Sequence, residues 1–297
     1  MKPPPFGYSR PDTVEEAVAV LADRDPDGKV LAGGQSLLPL LNMRLATPGH
    51  LVDINKLSDL SYVRVIDGHV VIGALARHAD VLADQDAARA QPLIRQALAL
   101  VAHQVIRNRG TTVGSIVHAD PAGEMTAVLA LLGGSVVLMS TGGERLVQSS
   151  EFFLGPLESD VRPDELATQV RIRVLPERAG TAFAEVSRRN GDYAVCGVAV
   201  LAELDEADAV GRATAVYLSL AGTPLVLDLS DAAGDPAAAG RMARDRVSPS
   251  GDIHATAAYR KHLAGVLTER ALADAIAAAR KRSVGSERSV GRERSVG

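Results

Sequence analysis

The sequence predicts an α+β protein in two parts, and three observations support this fold class. A short buried strand at 29–32 ends at Gly33-Gly34, and a helix and a second strand at 50–54 then complete a βαβ unit. Leu175-Pro176-Glu177 interrupts the strand pattern and marks a boundary between two domains. Beyond this boundary, three apolar runs predict an antiparallel sheet, at about 181–188, 195–204 and 213–220.

The N-terminal part begins with a helix and then the βαβ unit. Thr13-Val14-Glu15-Glu16 is typical of a capping box that opens a helix. Ser36 is placed to cap a second helix over about 37–45, and Pro48-Gly49 ends that helix. The two glycines at 33 and 34 therefore lie between the end of a strand and the start of a helix.

The rest of this part alternates helices and strands. One side of residues 92–107 is apolar, which predicts a single amphipathic helix. A helix at 124–132 and a strand at 135–140 follow, with a hairpin turn at 141–144. Alternating apolar and polar residues at 168–174 predict a half-buried strand that closes this part.

The C-terminal part is predicted to end in helices and a repetitive tail. Residues 228–250 are rich in Ala, Gly and Asp, and they predict a surface loop with one short helix. Two helices are expected after it, at about 254–267 and 269–282. Arg-Ser-Val-Gly then recurs every six residues, so we expect residues 282–297 to be disordered.

Composition limits the classes of partner. The chain has 297 residues, 46% hydrophobic and 23% charged, which is typical of a soluble globular protein. A net charge of −4 gives no electrostatic reason to expect nucleic acid or an anionic membrane as a partner. No apolar run is long enough to span a bilayer, and the N-terminus lacks the apolar core of a signal peptide. We expect a cytoplasmic protein.

Cysteine and histidine usage argues against an inorganic redox centre in this chain. Cys196 is the one cysteine, so no disulfide, thiolate zinc site or iron–sulfur cluster is expected. Its apolar neighbours favour a buried structural cysteine over a nucleophile. The seven histidines show no HxxxH or HxH spacing, so no metal site is expected. Any redox chemistry must therefore come from a bound organic cofactor.

The first glycine loop carries residues suited to hold a phosphate group. Gly33 and Gly34 allow the backbone to approach a ligand closely, and Ser36 adds a hydroxyl. A helix N-terminus adds free N–H donors and about 0.3–1 kcal/mol per favourable contact with an anion. The same residues also suit an ordinary strand–turn–helix corner with a capping serine, and they do not form a GxGxxG motif. The candidate binding residues are Lys29, Leu31, Ala32, Gly33, Gly34, Gln35, Ser36 and Leu37.

The second glycine loop follows Arg109-Gly110. Its hydroxyls and Gly114 suit phosphate or ribitol oxygens, and Asp120 or Glu124 is placed to accept a hydrogen bond from a ribose hydroxyl. Asp120 suits equally well a helix N-cap followed by proline. For His118, a structural role is favoured over that of a general base. The candidate binding residues are Thr111, Thr112, Val113, Gly114, Ser115, His118, Asp120 and Glu124, and no catalytic residue is assigned. Two phosphate loops in one domain suit a dinucleotide, and we interpret the chain as a carrier of FAD.

Five segments together resemble one known family, in order and in spacing. This family comprises the FAD-binding medium subunits of molybdenum hydroxylases, among them carbon monoxide dehydrogenase medium subunits and xanthine dehydrogenase FAD subunits. The resemblance runs from about Pro5 to Arg282. The segments are Ala-Gly-Gly-Gln-Ser-Leu-Leu-Pro-Leu-Leu-Asn-Met-Arg-Leu at 32–45, Ile-Arg-Asn-Arg-Gly-Thr at 106–111, His-Ala-Asp-Pro-Ala at 118–122, Arg-Arg-Asn-Gly-Asp-Tyr-Ala at 188–194 and Tyr-Arg-Lys-His-Leu at 259–263.

The resemblance implies a fold and a set of binding residues. Residues 1–175 would form an FAD-binding domain of the p-cresol methylhydroxylase type, with α+β subdomains at about 1–55 and 56–175. Residues 176–281 would form a domain of three antiparallel strands and helices. The loops at 32–36 and 111–115 would bind the phosphates and ribitol of FAD, and Tyr193 would lie beside the isoalloxazine. Val113 departs from the family, which usually has glycine there, and a valine would be strained if this position needed a positive φ.

The resemblance also implies a role within a larger assembly. The chain would be the FAD-carrying electron-transfer subunit of a heteromeric molybdenum hydroxylase, built as a dimer of heterotrimers. A large subunit would hold the molybdenum cofactor, and a small subunit would hold two [2Fe–2S] clusters. Electrons would come from the nearer cluster and leave for NAD, a quinone, a cytochrome or O₂.

Two other functions stay open from the sequence. A self-contained FAD-dependent oxidase on the same fold would need its own substrate pocket and base, and no residue pair suggests one. A nucleotide-binding module without enzymatic activity would bind no flavin.

Overall fold

The computed structural model describes residues 2–294, and the side chains of residues 2–284. Up to residue 118 the helices and strands are β1 (Gly7–Ser9), α1 (Val14–Asp23), β2 (Gly28–Leu31), α2 (Leu37–Asn42), β3 (His50–Asp53), β4 (Val63–Ile66), β5 (His69–Gly73), α3 (His78–Ala83), α4 (Gln85–Ala90), α5 (Pro92–Leu98), α6 (Gln104–Arg107) and α7 (Thr112–His118). The later elements are α8 (Glu124–Leu131), β6 (Ser135–Ser140), β7 (Gly143–Gln148), α9 (Ser149–Phe152), β8 (Phe153–Gly155), β9 (Glu158–Ser159), β10 (Leu166–Arg173), β11 (Ala179–Ser187), β12 (Ala194–Leu204), β13 (Val210–Leu218), β14 (Leu225–Asp228), α10 (Pro236–Arg246) and α11 (Ala257–Arg294).

The chain divides into two compact units. Unit 1 comprises the residues up to Ala90 together with Val101–Asp120 and Leu132–Arg173. Unit 2 comprises Gln91–Leu100, Pro121–Leu131 and the chain from Val174. Helices α5 and α8 precede residue 175 in the sequence but belong to unit 2, because they pack on its sheet.

Unit 1 contains a small parallel sheet and a larger antiparallel one. The strand order of the parallel sheet is β1-β3-β2, and β2 pairs with β3 so that Leu31 faces Asp53. The predicted βαβ unit is therefore confirmed. Thr13 caps α1 by accepting a hydrogen bond from the Glu16 N–H, and the apolar side of α1 packs against Val52 and Ile54. The second sheet has the order β4-β5-β10-β6-β7, with every neighbouring pair antiparallel.

Unit 2 is built on an antiparallel sheet with the order β11-β12-β13-β14. The three predicted strands are present, and β14 adds a fourth that the sequence did not predict. Helix α11 packs against β11 and β12, and the core between them includes Val198, Tyr217 and Leu272. The buried Tyr217 hydroxyl is hydrogen-bonded to Thr268 of α11 at 2.6 Å.

Three predictions about helices are wrong. Residues 92–107 form two helices, α5 and α6, because Ala102 takes a left-handed conformation with a φ of 43°. The Arg107 guanidinium donates to the carbonyls of Val101 and Ala102, which satisfies the backbone at this break. The helix after Ser36 ends at Asn42 and not near residue 45. The two helices predicted after residue 254 are the single helix α11.

Helix α11 extends into the tail that is predicted to be disordered, residues 282–297, and it runs to Arg294. Arg282 and Ser283 lie in α11. Ser283 is buried, and its hydroxyl accepts a hydrogen bond from Arg178 and donates one to Asp208. Side chains from residue 285 onward, and residues 295–297, lie outside the described part. Within that part, no helix combines the length and apolar character needed to cross a membrane.

Candidate cofactor-binding site

The first glycine loop, residues 32–37, joins β2 to α2 and presents free donors. Gly34 has a φ of 73°, a conformation that glycine adopts without strain. None of the N–H groups of residues 33–36 donates a hydrogen bond to any residue that the structure describes. Ser36 stands at the N-cap of α2, but its side chain makes no capping hydrogen bond. Residues 33–36 are half-buried, and a row of backbone N–H groups without partners is suited to bind an anion.

The second glycine loop, residues 109–115, uses its hydroxyls to hold its own shape. Thr111 caps α7 by accepting a hydrogen bond from the Gly114 N–H at 3.2 Å. The Thr112 hydroxyl is bonded to Nδ1 of His78 at 3.1 Å, and both of these residues are buried. Each of these hydroxyls makes one hydrogen bond within the protein, and a hydroxyl has further hydrogen-bonding capacity, so direct contact of these threonines with a ligand stays a prediction. Arg109 and Gly114 are the exposed residues of this loop, and Ser115 is half-buried.

Val113 fits this loop without backbone strain. It is the second residue of α7, its φ is not positive, and its side chain is buried. A left-handed conformation is therefore not required at this position, and valine takes the place of glycine at no conformational cost.

The two loops lie against each other within unit 1. A Cβ placed on Gly33 would be 2.5 Å from the carbonyl oxygen of Arg109 and 3.0 Å from the nitrogen of Thr111. Only glycine at position 33 permits this approach. The structure therefore brings together the two segments that the sequence predicts to act on one ligand.

Two residues that sequence reasoning missed, Asn55 and Arg77, connect the loops. Asn55 Nδ2 donates to the carbonyl of Ala32 at 2.9 Å, and the Asn55 Oδ1 accepts from Nη2 of Arg77 at 2.7 Å. Nη1 of Arg77 donates to the carbonyl of Arg109 at 2.6 Å. No motif or spacing marks these residues in the sequence, because their roles depend on contacts between distant segments.

His118 and Lys29 occupy positions at the edge of this arrangement. His118 is the last residue of α7, and Lys29 is an exposed residue of β2. Burial lowers the pKa of His118, the charge of Asp120 opposes this shift, and the charge of Lys29 adds to it. A neutral imidazole is the expected form at neutral pH, and the structural role favoured from the sequence stays a prediction.

Glu124 and Tyr193 belong to unit 2. Glu124 is the first residue of α8, and Tyr193 is 69% exposed in the turn before β12. The first residues of β12, directly after this turn, are held by two hydrogen bonds. Ser219 Oγ donates to the Ala194 carbonyl, and Arg260 Nη1 donates to the Val195 carbonyl. Arg260 is the arginine of the Tyr-Arg-Lys-His-Leu segment. Because it is buried and hydrogen-bonded to β12, it gives this segment a structural role.

Metal-binding residues are not clustered in the part of the chain that the structure describes. No group of three or more His, Cys, Asp or Glu residues there is arranged to hold a metal ion. Burial raises the pKa of the Cys196 thiol to about 12, and the nearby Arg260 charge lowers it only in part, so the thiolate form is disfavoured.

Comparison with family models gives two matches. Residues 4–174 match the FAD-binding domain in molybdopterin dehydrogenase, and residues 181–275 match the CO dehydrogenase flavoprotein C-terminal domain. The two matched ranges together cover most of the described residues.

Similar proteins include characterised dehydrogenase subunits. The chain is 40% identical to the 6-hydroxypseudooxynicotine dehydrogenase complex subunit alpha of Paenarthrobacter nicotinovorans, over 94% of this chain and 97% of that protein. It is 34% identical to the carbon monoxide dehydrogenase medium chain of Afipia carboxidovorans, over 94% of this chain and all of that protein. Among solved structures, carbon monoxide dehydrogenase from Hydrogenophaga pseudoflava superposes with a TM-score of 0.88 at 33% identity, covering 93% of this chain and 99% of that chain.

Proposed function

The chain belongs to the family of FAD-binding medium subunits of molybdenum hydroxylases, and we propose that its two glycine loops together hold the diphosphate of FAD. The observation that carries this proposal is the row of free N–H groups at residues 33–36, placed against the backbone of the second loop. A diphosphate is an anion that accepts several hydrogen bonds, so it is suited to bind at a row of backbone N–H donors.

The residues present fit such a group. A Cβ on Gly33 would clash with the Arg109 carbonyl oxygen at 2.5 Å, and a Cβ on Gly114 would stand 2.5 Å from Thr111 Oγ1, so glycine at these two positions keeps both segments close together beside the free amides. The Ser36 hydroxyl, which caps no helix, adds a side-chain donor beside the free amides. Gln35 helps to shape the loop, since its Nε2 donates back to the Gly33 carbonyl, and Leu37 is the first residue of α2.

The chemistry that FAD supplies when bound is the acceptance and release of electrons. This chain's own residues bind and orient the cofactor. Residues 33–36 donate hydrogen bonds, while Thr111 and Thr112 keep the second loop in shape through Gly114 and His78. Tyr193, an exposed aromatic residue, is proposed to place its ring beside the isoalloxazine, and the resemblance of its segment to the family supports this role.

The proposed setting is a multi-subunit enzyme. Homologous chains are medium subunits or components of dehydrogenase complexes, which supports a large partner with the molybdenum cofactor and a small partner with [2Fe–2S] clusters. We propose that electrons reach this chain from the iron–sulfur partner and leave it for an external acceptor. We also propose that the complex is a dimer of heterotrimers and that it is located in the cytoplasm. We propose that the large partner, which would hold the molybdenum cofactor, selects the substrate.

A reconstitution experiment tests this function. The complete chain is purified, supplied with FAD, and assayed for flavin content and for oxidation of organic substrates, first alone and then with its co-purified partner subunits. We expect a yellow chain with about one FAD, inactive alone and active in the complex. Substrate oxidation by the chain alone would indicate a self-contained oxidase, and a folded chain that takes up no FAD would overturn the proposal.

A further inference from the structure

We propose that Asn55 and Arg77 are positioning residues that set the separation of the two glycine loops and thereby the affinity for FAD. This inference rests on the proposed function of the loops. It starts from a continuous path of hydrogen bonds between them, from the Ala32 carbonyl through Asn55 and Arg77 to the Arg109 carbonyl. We call these two side chains the Asn55–Arg77 clasp.

One end of the clasp is anchored by a buried carboxylate. Asp53 Oδ1 accepts hydrogen bonds from the backbone N–H of Asn55 at 2.9 Å and from its Nδ2 at 2.6 Å. The other oxygen, Oδ2, accepts from the Tyr8 hydroxyl at 2.6 Å. Burial raises the pKa of Asp53, but the hydrogen bonds from Tyr8 and Asn55 and the charge of Arg10 together hold it below its usual value. Asn55 thus has a fixed orientation, with Nδ2 toward the first loop and Oδ1 toward Arg77.

The other end is anchored by the backbone. His78 donates its N–H to the Gly110 carbonyl at 2.9 Å, and Thr112 donates its N–H to the Ala76 carbonyl at 3.2 Å. These two bonds flank Arg77 and tie its backbone to the second loop. The Arg77 side chain then extends from the second loop to Asn55, which lies at the end of β3 beside the first loop.

The guanidinium group is suited to this role because it carries several donors in one rigid plane. Nη1 and Nη2 of Arg77 serve acceptors on two separate segments at the same time. A lysine keeps the charge but lacks that fixed geometry. Burial lowers the pKa of Arg77, the positive charge of Arg109 lowers it further, and the charges of Asp80 and Asp53 oppose this shift only in part. An anion bound beside these loops would further offset the repulsion between the two arginines.

The test compares the affinity for FAD with the stability of the cofactor-free chain. The complete chain is stripped of flavin and titrated with FAD. The chain contains no tryptophan to serve as an intrinsic reporter, so the fluorescence of FAD itself is used to follow binding. The variants are Arg77→Lys, Asn55→Ala and the double variant, and Arg89→Lys is the matched control, an exposed arginine of unit 1 paired with Asp86. Thermal unfolding of each chain without FAD is measured in parallel.

We expect each single variant to weaken FAD binding at least about tenfold. The cofactor-free chain also loses hydrogen bonds of the clasp, so its midpoint should fall slightly, by less than the loss of binding free energy. The double variant should bind FAD about as weakly as either single variant, because both remove one shared path. Arg89→Lys should leave the affinity unchanged.

Three outcomes overturn the inference. The first is an unchanged affinity for FAD in Arg77→Lys. The second is a loss of binding free energy in the double variant that equals the sum of the losses in the single variants. The third is a loss of affinity in a variant that is matched by an equal loss of its stability without FAD. Failure of the wild-type chain itself to bind FAD would instead overturn the proposed function of the loops, so the two failures are distinguishable.

Discussion

Gly33 lies directly against the carbonyl oxygen of Arg109, and the two glycine loops meet at this contact. A Cβ at position 33 would stand 2.5 Å from that oxygen and 2.8 Å from the Cα of Gly110. A side chain of any size would therefore push the loops apart. The contact explains why glycine is needed at position 33 for a reason independent of the ligand.

The Gly33→Ala variant tests this contact. Displacing packed backbone typically costs about 1–3 kcal/mol, and we expect FAD affinity to fall accordingly. Gly142→Ala is the matched control in the same unit, since its Cβ would meet Ser140 Oγ at an ordinary 3.5 Å. The combined Gly33→Val and Gly114→Val variant should lose flavin altogether while remaining folded by circular dichroism. Full FAD content in that variant would contradict the assignment of the loops.

Ser36 and Thr111 should respond differently to removal of the hydroxyl. Ser36 makes no capping hydrogen bond, so Ser36→Ala should weaken FAD binding by about 0.5–1.5 kcal/mol and leave the cofactor-free chain equally stable. Thr111 caps α7, so Thr111→Ala should destabilise the cofactor-free chain by about 0.5–2 kcal/mol. Denaturant unfolding and FAD titration of both variants measure the two effects. Equal stability losses in both variants would count against a ligand-facing role for Ser36.

Tyr193 is expected to influence the flavin through its ring. Tyr193→Ala should alter the visible absorption spectrum or the reduction potential of bound FAD, whereas Tyr193→Phe should retain most of the wild-type spectrum because the aromatic face remains. An unchanged spectrum in Tyr193→Ala would remove this residue from the site. The side chain is 69% exposed, so neither change should affect folding strongly.

His78 should make the stability of the chain depend on pH between about 4 and 6.5. Burial, and to a smaller extent the charge of Arg107, lowers the pKa of His78 from 6.5 to about 4. In that range the unfolded chain binds a proton that the folded chain does not, so the free energy of unfolding falls as the solution is acidified. The slope is about 1.4 kcal/mol per pH unit for one such group.

The matching variant is His78→Gln, which does not titrate. Its free energy of unfolding should depend less on pH than that of the wild type between pH 6.5 and 4, as measured by urea denaturation at several pH values. Identical pH profiles would show that the pKa of His78 is the same in the folded and the unfolded chain, which would contradict the expected shift. Because His78 bonds to Thr112, we also expect FAD release from the wild type to accelerate toward pH 4.

The sequence predicted those elements whose signals are local. Gly33-Gly34 between an apolar strand and Ser36 is visible within ten residues, and the structure has β2, the loop and α2 in that order. The break at Ala102 was missed because the apolar positions of α5 and α6 keep a common period, and a single left-handed residue leaves no trace in that pattern. Strand β14 was missed because its residues alternate in burial over only four positions.

The two glycine loops of the candidate site could be predicted from the sequence, but the residues that hold these loops in place could not. Glycines and hydroxyls mark residues 32–36 and 111–115 from composition alone, whereas Asn55 and Arg77 gain their roles from contacts 22 to 32 residues away in the chain. The engagement of the Thr111 and Thr112 hydroxyls was likewise invisible, since it depends on which way each side chain points once α7 has formed.

The most direct measurement is the structure of the complete chain with FAD bound. We expect oxygen atoms of both phosphate groups to accept hydrogen bonds from the backbone amides at 33–36, beside the residues of the second loop. A diphosphate bound elsewhere on the chain, with those amides facing only solvent, would contradict this expectation.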